Sequence, residues 1–238
     1  MKRYGNLWQQ LISFENIKKY FPSIDHEILK MIIRQKIKDP DVLWLIDLII
    51  DSSNPQERVI DYFPGDDLFT PMERRKGLPI GNLTSQFFAN IYLNGFDHFV
   101  KQQLKCRFYA RYVDDAVVVA SDKNYLWDCC HQMGAYLETL RLKLHPHKQH
   151  VRPVTQGLKF LGQVIYPDCR LLPKKNIRRF MRRMKKYQRL YAEGKMEFAP
   201  INHSFQSWLG HAKQANTRAL RRRIIEKIRL RRKEPSSH

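Results

Sequence analysis

The sequence predicts an α+β fold: a small antiparallel sheet packed on helices, followed by a strongly basic helical segment. Three observations predict it. Residues 107–113 and 116–120 are short runs rich in Val, Tyr and Phe and free of Gly and Pro, as strands are, and Asp114-Asp115 lies between them at a hairpin tip. Other stretches carry apolar residues at three- and four-residue steps, the spacing of a helix face. Charge is segregated: residues 171–238 hold 20 Lys+Arg against 4 Asp+Glu, so +16 of the formal net +20 lies there, while residues 1–170 hold 23 against 19.

Taken in order, Ile28, Leu29, Ile32 and Ile33 mark a helix over 26–37, with Asp25 as its N-cap. Leu43, Ile46, Leu48 and Ile49 mark a second over 40–51, and Asp39-Pro40 separates the two. Residues 52–81 read as loop, broken by Pro55, Pro64, Gly65, Pro71, Gly77, Pro79 and Gly81. A long helix is expected over 82–104, with Phe87, Phe88, Ile91, Tyr92, Phe96 and Phe99 as a wide stripe that core packing explains. After the hairpin, Ser121 or Asp122 caps a helix to about Leu140. A second hairpin region spans 157–165 and continues towards Leu171. Residues 174–192 and 203–232 close the chain as basic amphipathic stretches.

At 238 residues and 43% hydrophobic content the chain can bury a core, which excludes a disordered basic tail. A pI of about 10.0 points to a polyanionic partner, most simply nucleic acid. In the last 68 residues the near absence of acids forbids self-neutralisation, so Arg178, Arg179, Arg182, Arg183, Lys185, Lys186, Arg221, Arg222 and Arg223 are read as backbone-phosphate ligands. Cys106, Cys129, Cys130 and Cys169 show no CxxC spacing, which suits a reducing, cytoplasmic setting. No signal-peptide pattern and no apolar run near the roughly 20 residues of a membrane span is visible, so no membrane partner is expected. His145, His147 and His150 flank Pro146 in a basic loop and read as solvated or phosphate-facing rather than as a zinc set.

Asp114 and Asp115 are the candidates for chemistry. Two adjacent carboxylates repel unless a cation neutralises them, and hard divalent ions such as Mg²⁺ prefer oxygen ligands. A solvated acidic turn accounts for the same two residues equally well, because Asp is a common turn former.

Several motifs in order resemble reverse transcriptases. Phe21-Pro22-Ser23-Ile24-Asp25-His26 resembles the segment after the first catalytic motif, and residues 77–86, Gly-Leu-Pro-Ile-Gly-Asn-Leu-Thr-Ser-Gln, the loop and helix start beneath template and nucleotide. Tyr112-Val113-Asp114-Asp115 matches the YxDD box. Lys148 resembles the following basic motif, Phe160-Leu161-Gly162 the primer grip, and 174–238 a helical thumb. Ile80-Gly81 with Ser85-Gln86 resembles diversity-generating retroelement enzymes, within a group II intron-like bacterial set that mostly carries Gln-Gly and Ser-Pro there. The opening Arg3-Tyr4-Gly5-Asn6-Leu7 points the same way.

The resemblance implies an α+β palm over 18–170 with a thumb over 171–238, and RNA-directed DNA polymerase activity. Two Mg²⁺ ions (Mn²⁺ as a substitute) would join a primer 3′-hydroxyl to the α-phosphate of a deoxynucleotide. It further implies Asp114 and Asp115 as metal ligands, Phe21 under the deoxyribose, Gln86 beside the template–nucleotide pocket and Lys148 near the triphosphate. Its partners are an RNA template, a DNA primer, a dNTP and a small basic accessory protein.

Two departures oppose activity. The family's third aspartate falls on Asn16, an uncharged and therefore weak metal ligand. The finger strands are missing as well: Phe14-Glu15-Asn16-Ile17 runs straight into Lys18-Lys19-Tyr20-Phe21, as if an internal deletion had joined segment 1–17 to the palm. A shortened strand at position 16 is then expected to leave an exposed sheet edge. The alternative reading is a catalytically silent nucleic-acid-binding remnant acting through the basic thumb.

Overall fold

A computed structural model describes residues 11–53, 57, 59–147 and 149–231, with side chains from residue 16 onward. These fall into two compact units, one running to Pro153 and one from Val154 onward. The architecture is α+β, with small antiparallel sheets among helices.

In the first unit, β1 (Leu11–Asn16), β2 (Phe108–Tyr112), β3 (Asp115–Ala120) and β4 (His150–Pro153) form one antiparallel sheet in the order β2-β3-β1-β4. The exposed edge expected of the strand at position 16 is not found. β1 is six residues long and interior, with β3 on one side and β4 on the other. The extended run 143–145 is what continues the pairing beyond β1: Lys18 donates its amide to the Lys143 carbonyl at 2.8 Å, and His145 donates to Asn16 at 2.7 Å.

Helices α1 (Tyr20–Ser23), α2 (His26–Arg34), α3 (Pro40–Asp51) and α4 (Thr70–Glu73) follow β1. Asp25 caps α2 by accepting from the amides of Glu27 and Ile28, as its position predicts. The long helix expected over 82–104 is instead broken into α5 (Leu83–Tyr92), α6 (Asn94–His98) and a π-helical turn (Phe99–Gln103). Within α6, a Cβ at Gly95 would lie 2.7 Å from the Tyr136 hydroxyl of α7 (Lys123–Thr139), so glycine there gives the tyrosine room. Phe88, Tyr92, Phe96, Leu126, Met133 and Leu137, all nearly inaccessible, form the core with Ala116 and Val118 of β3. By strand alternation Asp115 and Val117 point to the other face.

In the second unit, β5 (Leu158–Phe160), β6 (Gln163–Ile165) and β7 (Arg170–Leu171) make a three-stranded antiparallel sheet. Leu161 and Gly162 turn between the first two at φ 49° and 74°, the positive values a type I′ hairpin requires. α8 (Lys174–Ala192), α9 (Phe198–Lys213) and α10 (Arg218–Lys227) follow. The stretch expected over 203–232 is divided because Asn216 is tied to β7, its amide donating to the Arg170 carbonyl at 2.7 Å and its side chain accepting from the Arg170 amide at 2.9 Å. Phe180 and Trp208 stack with centroids 4.2 Å apart at 9°, and with Met184, Ile201 and Ile224 they form this unit's core.

Candidate active site

The hairpin β2–β3 is built to display two acids. Tyr112 pairs with Asp115, leaving Val113 and Asp114 as its two-residue turn. Val113 adopts φ 55°, a left-handed conformation that is unusual for a β-branched residue and costs about 1–2 kcal/mol. That conformation is held from behind. The buried Arg111 side chain donates through Nη1 to the Val113 carbonyl at 2.8 Å, and through Nε and Nη2 to the two oxygens of Asp97 on α6, at 2.7 and 2.6 Å. Burial opposes the guanidinium charge, but the Asp97 bonds outweigh it and raise the Arg111 pKa. Tyr109 donates to the same carboxylate at 2.7 Å, and burial pushes its phenol pKa up.

Asn16 closes the site from the neighbouring strand. The register sets it directly across from Asp115, and the Ile17 amide donates to the Asp114 carbonyl at 3.0 Å. Its side chain is buried, and Nδ2 donates to Asp115 Oδ1 at 2.6 Å and to Asp114 Oδ2 at 3.2 Å. One amide thus bridges two half-buried carboxylates, and their oxygens converge on a single point. Two converging carboxylates are a donor set for a hard divalent ion. The amide, however, presents its N–H₂ to them, so Asn16 would have to turn its oxygen inward to serve as a third ligand. Among the described residues no cluster of three or more Asp, Glu, His or Cys side chains forms a metal set.

The other expected site residues are distributed as follows. Phe21 is half-buried against the first unit's core, its ring 5.7 Å from Tyr20, and its carbonyl accepts from the Leu78 amide at 2.9 Å. Tyr20 donates to the Ala89 carbonyl on α5. Burial raises its pKa, against the opposing charge of Arg111. Gln86 is exposed in the first turn of α5. Lys148 and the segment Arg3–Leu7 lie outside the described residues. Phe160, Leu161 and Gly162 occupy the β5–β6 hairpin of the second unit. In that unit Arg178, Arg179, Arg182, Arg183, Lys185 and Lys186 are exposed on α8. On α10, Arg222 pairs with Glu226 at 3.1 Å, Arg221 is half-buried and Arg223 is exposed.

Sequence reasoning missed the Arg111–Asp97 clamp; a lone Arg inside an apolar strand was its only signal. It also read Asp25 as no more than a cap. That carboxylate is fully buried and accepts from Arg141 Nη1 at 2.7 Å, with Arg74 Nε at 3.4 Å. Arg74 in turn holds Asp66. These partners are far apart in sequence, and no local pattern announces them.

Residues 8–165, more than half of the chain, match the family model described as reverse transcriptase (RNA-dependent DNA polymerase). The chain belongs to this family. Among solved structures it is similar to apo telomerase from Candida tropicalis, with 13% identity, a TM-score of 0.43, and 66% of this chain and 31% of that one covered. The form of that enzyme truncated from its C-terminal domain gives 14% identity, a TM-score of 0.40, and 66% and 34% coverage. The chain therefore spans about a third of the length of either. No curated protein matches it.

Proposed function

We propose that this chain is an RNA-directed DNA polymerase of the diversity-generating retroelement type whose active site is impaired at Asn16. The observation that carries the reading is the convergence of Asp114 and Asp115 on a point faced by residue 16 from the adjacent strand. Asp114 and Asp115 would hold two Mg²⁺ ions (Mn²⁺ as a substitute), whose chemistry when bound would be to activate the primer hydroxyl and neutralise triphosphate charge. The Arg111–Asp97 clamp fixes the direction of the turn, and so the position of both carboxylates. Phe21 supports the incoming deoxyribose, Gln86 borders the template base, and Lys148 lies towards the triphosphate. An RNA template, a DNA primer and a dNTP are the substrates, with Phe160–Gly162 as primer grip, the basic face of α8 and α10 along the duplex backbone, and a small basic accessory protein as a further partner.

A second reading is favoured by one specific feature. The Asn16 amide already satisfies both carboxylates, as it would in a chain that has given up metal and binds nucleic acid through its basic helices. Primer extension on an RNA template with Mg²⁺ or Mn²⁺ separates the two. Weak extension that rises in Asn16→Asp supports the polymerase. No extension in either protein, with salt-sensitive RNA binding retained, supports the silent form.

A further inference from the structure

Helix α3 is apolar on both of its sides, and only one of them is covered. Leu43, Ile46 and Ile49 pack on the first unit's core, and Ile50 is fully buried. Asp47 pairs with Arg34 of α2, and Asp51 with Lys30 of α2 at 2.7 Å, so this side lies against α2 with the two helices antiparallel. The other side carries Val42, Trp44, Leu45 and Leu48, which are 43, 67, 50 and 52% exposed. A helix that is hydrophobic all round belongs in an interior, so this ridge calls for a cover.

A groove of about 540 Å³ lies on the opposite flank of α2, lined among others by Ile32, Lys36, Phe87, Ile91 and Tyr136. Successive residues of a helix stand about 100° apart, which puts Ile32 and Lys36 about 200–240° round α2 from Lys30. Met31 and Gln35 occupy the strip between the two flanks, and Met31 and Phe87 are 55 and 62% exposed.

The charges of the two surfaces say what covers them. Residues 39–51 hold four Asp and no Lys or Arg, which turns away nucleic acid and anionic membrane. Among the described residues the groove lining holds one cation, Lys36, and no acid. An apolar ridge set among acids fits an apolar groove with a base, and this chain carries both on the two flanks of one helix. A two-fold axis through the strip of Met31 and Gln35 brings each copy's ridge to the other's groove at once, and so closes the pair. The exposed apolar surface of ridge and rim is of the order of 600 Å² per chain, somewhat under the roughly 800 Å² per partner of a standard interface.

We propose that the chain forms a two-fold homodimer in which α3 of each copy lies in the groove of the other. Nucleic acid takes no part in the contact, so it stands or falls independently of the polymerase reading.

The test is sedimentation velocity of the full chain, freed of nucleic acid, in about 0.3 M NaCl to screen its net charge of +20. Between about 1 and 200 µM the mass should rise from 28.6 kDa towards twice that value, as a micromolar Kd requires. Leu45→Lys charges the ridge and Phe87→Lys the groove, both at exposed positions, so the melting temperature should not change. Each substitution acts twice in a two-fold dimer and should raise Kd at least about tenfold. An equimolar mixture of the two variants should then associate more than either alone. In the mixed pair the intact ridge of the Phe87→Lys chain meets the intact groove of the Leu45→Lys chain. A wild-type chain that stays monomeric throughout overturns the dimer. Association that survives either substitution places the contact elsewhere and overturns it too. A mixture as inert as its components also overturns it, because the ridge would then not enter the groove.

Discussion

Asn16 stands directly across the sheet from Asp115 and donates its amide to that carboxylate at 2.6 Å, the geometry of a side chain occupying a cation's place. Asn16→Asp replaces this donor by a third carboxylate. Without metal the variant should lose about 1.5–3 kcal/mol, the worth of a hydrogen bond to a charged group, with added repulsion among three acids. Divalent metal should restore it, because three carboxylates bind a hard cation more strongly than two. Thermal unfolding in EDTA and in Mg²⁺ checks this: a melting temperature of the variant indifferent to metal would show that the three side chains do not enclose an ion site.

The second prediction concerns the turn itself. Val113 is held at positive φ, and Arg111 bonds its carbonyl. Val113→Gly removes about 1–2 kcal/mol of backbone strain, but it adds about 0.5–1 kcal/mol of unfolded-state entropy and gives up the packing of a half-buried side chain on the core, so it should be modestly destabilising. Arg111→Lys cannot reach both Asp97 and the turn, and should cost about 2 kcal/mol because it strands a partly buried carboxylate. The two changes should not add. Glycine needs less support from Arg111, so the double variant should recover about 1 kcal/mol, which urea unfolding of all four proteins reads out. Strict additivity would mean that Arg111 does not hold the turn.

How much of this was legible beforehand follows from the range of the interactions. The hairpin over β2 and β3, the caps Asp25 and Asp122, and helix α8 depend on neighbours a few residues away, and the sequence pattern places them. The interior position of β1 did not show, because it depends on pairing with β4 and with residues 143–145, far along the chain. Nor did the break after Tyr92, because the apolar stripe runs through it without a sign. The three residues of the acidic site could be named from motifs, but the direction of the Asn16 amide could not. That is settled by which of its two ends meets a carboxylate.

Acid stability should report on His26. Its pKa is lowered mainly by burial, with Arg75 and Lys30 adding to the effect and the Gly77 carbonyl and Asp51 opposing it. The folded state therefore binds the proton less readily than the unfolded state, so His26 contributes stability that is fully present above its ordinary value of 6.5 and lost as pH falls through the lower folded value. Unfolding free energy measured by urea titration should decline as pH drops below 6.5. In His26→Gln, which cannot titrate but retains an amide donor for the Gly77 carbonyl, the decline over that interval should be shallower. An unchanged acid limb in the variant would assign the loss to other groups, such as Asp51, which titrates at lower pH because Lys30 bonds it.

The basic helices offer the last test, and its form follows from how α8 is rolled. Phe180 and Met184 are buried, and the Phe180 ring lies flat on Trp208, so the helix has one orientation on its unit. That orientation turns Arg178, Arg182, Lys185 and Lys186 outward together. If they meet phosphates, each releases counterions on binding, and the logarithm of affinity should fall with the logarithm of salt by about 0.7 per contact on single strands and about 0.9 on duplex. Arg182→Gln with Lys186→Gln should therefore reduce the slope by roughly twice that amount, equally for every sequence, because phosphate contacts carry no base information. Trp208→Ala should act differently. It removes a buried aromatic worth about 3–5 kcal/mol, lowers the stability of the unit, and weakens binding only where that unit unfolds. A slope unmoved by the paired Gln substitutions would place the nucleic acid elsewhere than on α8.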